Sequence, residues 1–261
     1  MIKKLMKYDI KKMIKILLYI YAISLILAII TRLINIGKNI QFIAIIGSFF
    51  AGFTYSAVAS ILINCVIHVL MTFRNGFYKD ESYLTHTLPV TKNQLLNSKY
   101  LSGLLVFFTS FIVSLLSLFI VLYSDNFVQG LKLLLQSSFS NLSIPMWLVI
   151  SLIAILFFAE FWFLMSISFC AIVKANTYNT KRVRRGLIWF FTYYLISVFV
   201  MFALIFLIFA ITGDLQNLFA EKLSQGMFIT LLISSIIEYI AFGVISYFYC
   251  KYLFNKGVNV D

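Results

Sequence analysis

Charge is scarce in this chain. Asp, Glu, Lys and Arg make up 11% of its 261 residues, and only 9 are acidic. A water-soluble fold must cover its outside with polar groups, so a 62% hydrophobic chain of this length excludes one. Lipid is the expected solvent. Cysteine is also sparse: Cys65, Cys170 and Cys250 lie in apolar runs, are not spaced for a metal or a redox pair, and read as small apolar filler. The two histidines, His68 and His86, have no carboxylate cluster beside them that resembles a metal set. A phosphate-cradling glycine loop is missing too. The nearest spacing, Gly47-Ser-Phe-Phe-Ala-Gly52, continues Phe53-Thr54 inside an apolar run. No polar residues converge as an enzyme acting on lipid phosphates would need. No enzymatic activity, metal or cofactor is therefore expected in this chain. Nor is there a repeat, a low-complexity tract or a soluble domain.

What is present is a series of apolar runs. A membrane-crossing helix needs about 20 apolar residues. Six runs qualify: 17–36, 42–73, 100–123, 146–173, 187–212 and 227–253. The second is about 48 Å long at about 1.5 Å per residue, so it is expected to project past the bilayer. The net charge of +12 suggests nucleic acid, but the basic residues sit in short segments beside the runs, which is the orientation signal of a membrane protein. With the N-terminus on the cytoplasmic side, seventeen Lys and Arg fall inside; only Arg32, Lys38, Lys132 and Lys222 fall outside. That asymmetry predicts an even number of spans with both termini inside. The fold expected is all-α and integral to the membrane, a single domain over residues 1–261. Richness in Ile, Lys, Asn, Phe and Tyr suggests the AT-rich coding of a bacterium, hence its plasma membrane.

Residues 1–16 gather six lysines on one side of a helix and Ile2, Leu5, Met6, Ile10, Met13 and Ile16 on the other. This predicts an amphipathic helix lying in the inner interface, lysines toward anionic headgroups. No small-x-small site follows the first run, so the start reads as an uncleaved span. Asp9 falls near the apolar face, read either as a carboxylate reaching water or as a contact for a cytoplasmic partner. Residues 126–139 and 214–224 predict two amphipathic helices at the outer surface, the first with Val128, Leu131, Leu134 and Leu135 on one side.

Several polar residues lie inside the runs. Ser48, Gly52, Ser56, Ser60, Asn64, His68 and Thr72 follow one another at steps of four in the second run. Such a line suits close helix packing or the wall of a substrate path. Asn64 and His68 are the members packing explains least. Glu160 and Glu238 stand near the middles of the fourth and sixth runs. Intramembrane carboxylates face a cavity or a partner, so both read either as protonated or hydrogen-bonded structural carboxyls or as the negative lining of a path suited to cationic or amphipathic cargo.

Residues 71–100, MTFRNGFYKDESYLTHTLPVTKNQLLNSKY, carry six charges between two apolar blocks. Asp80 and Glu81 suit the positive end of a short helix, Pro89 stops it, and Thr91 with Gln94 makes a capping box that launches the next span. Tyr83, Leu84, Thr87 and Leu88 are its expected exposed contacts. The region 78–90 thus predicts a short helix held below the membrane.

The basic start, the six runs and the loop YLTHTLPVTKNQLLNSKYL resemble the membrane permeases of type 2 ABC exporters. Leu84, Leu88-Pro89, Thr91 and Lys99 stand where those loops carry a leucine, a Leu-Pro, a helix start and a lysine. The resemblance covers the whole chain in layout and about 30 residues in detail. It implies that a second copy of the chain pairs around a central path, and that two cytoplasmic ATPase subunits, which bind ATP and Mg, dock below. Asp80, Glu81, Tyr83, Leu84, Thr87, Leu88 and Pro89 would then form the coupling helix. The small size looks most like permeases that export amphipathic peptides, phenol-soluble modulins included, or give immunity to antimicrobial peptides. Two rival expectations stand beside it. One is a proton-coupled secondary transporter with Glu160, Glu238 and His68 as carriers, for which the inverted repeats are missing. The other is a non-catalytic structural membrane partner.

Overall fold

The computed structural model describes residues 2–37, 40–79, 81–122, 145–178, 180–213 and 225–256. Among them every regular element is a helix: α1 (Ile2–Ile36), α2 (Gln41–Tyr78), α3 (Ser82–Thr87), α4 (Lys92–Leu122), α5 (Met146–Ala175), α6 (Arg182–Thr212) and α7 (Gln225–Lys256). All but α3 are long and apolar enough to cross a membrane, and each contains one of the six expected runs almost to its ends. The protein is a multi-pass membrane protein. The two predicted outer-surface helices, 126–139 and 214–224, lie outside the described residues.

One difference concerns the start. A separate interfacial helix over 1–16 is expected from the lysine pattern, yet α1 runs uninterrupted from Ile2 to Ile36. No glycine or proline stands between residues 2 and 36 to break it. The lysine-bearing half continues the first span as one helix of about 52 Å.

The helices form two compact units, α1–α4 and α5–α7. In the first, α1 packs on α2 and α4, and α2 packs on α4 and α3. A stripe of α1, namely Asp9, Met13, Leu17, Ser24, Ala28 and Thr31, is fully inside. It meets a row of buried serines on α4, with Tyr21 at 2.5 Å from Ser110 and Ser24 donating to Ser117 at 3.3 Å. Thr31 bonds Thr54 of α2 at 2.7 Å. Small hydroxyl residues let the backbones approach, and their bonds replace the hydrophobic drive that lipid cannot supply between helices.

In the second unit α5 packs chiefly on α7 and also on α6. Aromatic rings carry these contacts. Phe163 stacks on Tyr239 at 5.6 Å and meets Phe242 edge-on, and Tyr193 of α6 meets Tyr249 of α7 edge-on at 6.2 Å. Gly213 ends α6 at φ 75, a left-handed conformation that suits glycine, and its N–H bonds the carbonyl of Phe209.

Candidate functional site

The first unit brings the charged residues of the N-terminal stretch and of residues 71–100 to one end. α1 and α4 run in the same sense, since Asp9 meets Lys99, Tyr21 meets Ser110 and Arg32 donates to the Ile120 carbonyl. α2 runs against both, so its last turns, α3 and the start of α4 gather around the start of α1. The expected sharing of one membrane side by these basic segments is compatible with this geometry.

Two ion pairs tie this end together. Lys99 of α4 donates to Asp9 of α1 at 2.6 Å; Asp9 is 2% exposed and the Lys99 side chain 10%. Lys12, one turn further along α1, pairs with Glu81 at the start of α3. Asp9 therefore neither reaches water nor waits for an outside partner, as the two sequence readings had it. It heads the buried stripe of α1 because a lysine from α4 neutralises it there. A buried charge needs such a partner. Gly76 of α2 completes the arrangement. A Cβ there would sit 2.9 Å from Lys99 Nζ, so the lysine passes over α2 only where a side chain is missing.

α3 ends, and the next span starts, as expected, but Glu81 stands at the N-cap without a side-chain capping bond and no acidic residue falls in the first turn. Leu88 takes an extended conformation at ψ 138, as a residue before proline does, and the helix ends at Thr87. The capping box forms: Thr91 N–H donates to Gln94 Oε1 at 3.2 Å, and Gln94 N–H donates to Thr91 Oγ1 at 3.3 Å. Tyr83 and Leu84 are 77% and 70% exposed, and Thr87 and Pro89 are exposed as well. Leu88 is half-buried rather than exposed. Asp80 lies outside the described residues.

The polar line of α2 is not what packs that helix into its unit. Ser48, Gly52 and Ser56 are exposed, and a Cβ at Gly52 would meet open space. Ser60, Asn64 and His68 are half-buried, and Asn64 is turned back onto Ser60, donating to its carbonyl and its hydroxyl at 2.9 Å. Only Thr72 is inside. The packed row is a different one: Gly47, Thr54, Val58, Ile61, Cys65 and Val69.

Glu160 and Glu238 belong to the second unit. Glu238 is buried at 4% exposure, with one carboxylate oxygen lacking any hydrogen-bond partner, while Glu160 is half-buried. Both lie near enough to the Tyr239 hydroxyl to act on it electrostatically. Reading the sequence singled out Asp9 but missed Lys99 as its partner, and missed Lys12 and Gly76 as site residues. The stripe of Asp9, Met13 and Leu17 at steps of four was the available signal for Asp9.

Compared with protein-family models, curated proteins and solved structures, the chain matches none.

Proposed function

We propose that the protein is the membrane-spanning permease of an ATP-driven exporter. It works as a homodimer in the bacterial plasma membrane, both termini cytoplasmic, and moves an amphipathic or hydrophobic cargo such as an antimicrobial or toxin peptide outward. Two copies of a separate ATPase bind ATP and Mg and dock beneath it. The observation that carries this reading is α3. It is a short helix whose Tyr83 and Leu84 stand out from the unit, while Glu81 at its base is bound to α1. A helix so placed takes a push at its exposed face and passes it through Lys12 to α1, and through the capped start of α4 to Lys99 and Asp9. In this reading α3 is the coupling helix. The lysines of residues 3–15 meet anionic headgroups and water at the inner surface. The exposed line of Ser48, Gly52 and Ser56, with Ser60, Asn64 and His68, faces the cargo path or the second copy.

Purification from the native membrane in mild detergent, with mass spectrometry of what accompanies the chain, tests the partner. An ATPase at one-to-one stoichiometry is expected. Leu84→Asp and Tyr83→Ala should each weaken its hold by about 2 kcal/mol, roughly 30-fold, and lower export with the spans still folded. Transport driven by a pH gradient without ATP would instead support a carrier using Glu160, Glu238 and His68.

A further inference from the structure

The passage from α5 into α6 carries a concentration of charge that the coupling argument does not use. Residues 174–185 include Lys174, Lys181, Arg182, Arg184 and Arg185, and no Asp or Glu occurs between Glu160 and Asp214. In the first unit Lys99 and Lys12 meet carboxylates. Here rings and a carbonyl hold the cations. Arg185 lies over the Tyr178 ring at 4.3 Å, Arg182 Nε donates to the Tyr178 carbonyl at 3.1 Å, and Lys174 lies over the Trp189 ring at 5.3 Å. A ring positions a cation without cancelling its charge. Lys181 leads into α6 in the left-handed conformation, φ 52, which residues other than glycine seldom adopt, and its carbonyl accepts the Arg185 N–H at 3.0 Å. A second feature begins at the same residues. At steps of three and four along α6, Lys181 and Arg184 are followed by Ile188, Phe191, Leu195 and Phe199. All six are exposed, the apolar four by 53%, 57%, 52% and 72%. From Arg184 to Leu195 the stripe runs about 16 Å at about 1.5 Å per residue, close to half of a hydrocarbon core of about 30 Å, the depth of one leaflet.

From the cations at its head and the leaflet-deep apolar length behind them, we propose that this stripe of α6 binds an anionic phospholipid. The headgroup phosphate sits at Lys181 and Arg184 with Arg185 beside them, and an acyl chain lies along Ile188, Phe191 and Leu195. Ammonium and guanidinium groups pair with phosphate through charge-assisted hydrogen bonds. The apolar side chains then cover hydrocarbon that belongs to the same molecule, which a soluble anion does not offer. A second copy of the chain is a poor cover for this stripe. A two-fold partner in the same membrane would bring the same cations to the same level, like charge against like charge. The inference does not rest on the export reading, and its test uses no ATPase.

The test is native mass spectrometry of the full chain released from nonionic detergent, with phosphatidylglycerol or phosphatidylcholine added at equal mole fraction. Each basic residue at an anionic lipid contributes roughly fivefold, so Lys181 and Arg184 together should give the native protein a preference of about 25-fold for phosphatidylglycerol. The double variant Lys181→Gln with Arg184→Gln should lose most of that preference and hold phosphatidylcholine as before. No preference in the native protein, or a preference that survives the double variant, overturns the site. Inorganic phosphate should not displace the lipid; if it does, the stripe plays no part and the lipid assignment falls. A native chain that carries a second copy in place of phosphatidylglycerol, and loses it in Phe191→Asp, would give the stripe to that copy instead. Salt keeps the inference open to refutation even if a variant fails to fold. The native preference should shrink as ionic strength rises, and a preference indifferent to salt refutes the charge pairing.

Discussion

The two units hold their helices together by different chemistry. In the first, small polar contacts link the helices beside buried rings such as Phe73, Phe77 and Phe107. Ser98, Ser102, Ser110, Ser114 and Ser117 of α4 are all buried, hydroxyls bridge α1 to α2 and α4, and two ion pairs close one end. In the second, rings do the packing, α6 buries only Ser197 and Phe209, and a buried glutamate oxygen has no partner. The contrast shows where charge is settled within the protein and where it is left open. Asp9 has a lysine from its own unit at 2.6 Å; Glu238 has no basic group at all among the described residues. A satisfied buried pair fixes geometry, which suits an end that receives force.

The largest effect is expected from removing one partner of the buried ion pair in the first unit. Lys99→Ala or Asp9→Ala leaves a buried charge uncompensated and should lower stability by about 3–5 kcal/mol, read as a drop in melting temperature in detergent. The double variant Asp9→Leu with Lys99→Met leaves no charge behind and should recover most of that loss. Failure to recover would mean that the pair does more than neutralise itself. A smaller effect is expected at Gly76. In Gly76→Ala the new methyl group displaces Lys99 from its course to Asp9, and stability should fall by about 1–3 kcal/mol, the range for overpacking. If Gly76→Ala melts like the native protein, Lys99 is not pinned against α2.

Much of this fold could be read from residue order. Runs of about 20 apolar residues announce membrane helices because lipid permits little else, and the ends of α2, α5 and α6 fall within a few residues of the runs that predict them. The capping box was legible because Thr91, Gln94 and Pro89 act on backbone atoms only a few residues away. Asp9 was not, since its partner is 90 residues distant and proximity in space leaves no local mark. The polar line of α2 misled for a related reason. Spacing shows that Ser48, Gly52 and Ser56 share a region of the helix, but which row meets α1 is decided by the neighbours. The buried serines of α4 carried the packing signal at the same spacing and went unread. Asp80 lies outside the described residues.

The smallest effect expected in the first unit concerns the link between α3 and α4. Thr91 is exposed and buries nothing, so its contribution is confined to the orphan amides at the start of α4. Thr91→Ala should therefore lower stability by only about 1 kcal/mol, far less than loss of Asp9 or Lys99. Its effect on coupling should be larger than its effect on melting, because the capping box fixes the angle at which the chain leaves Pro89 for Lys99. The measurement is export set against melting temperature for Thr91→Ala and Thr91→Ser. The serine keeps the side-chain oxygen and should restore both. If Thr91→Ala lost stability without losing export, force would pass from α3 through Glu81 and Lys12 alone.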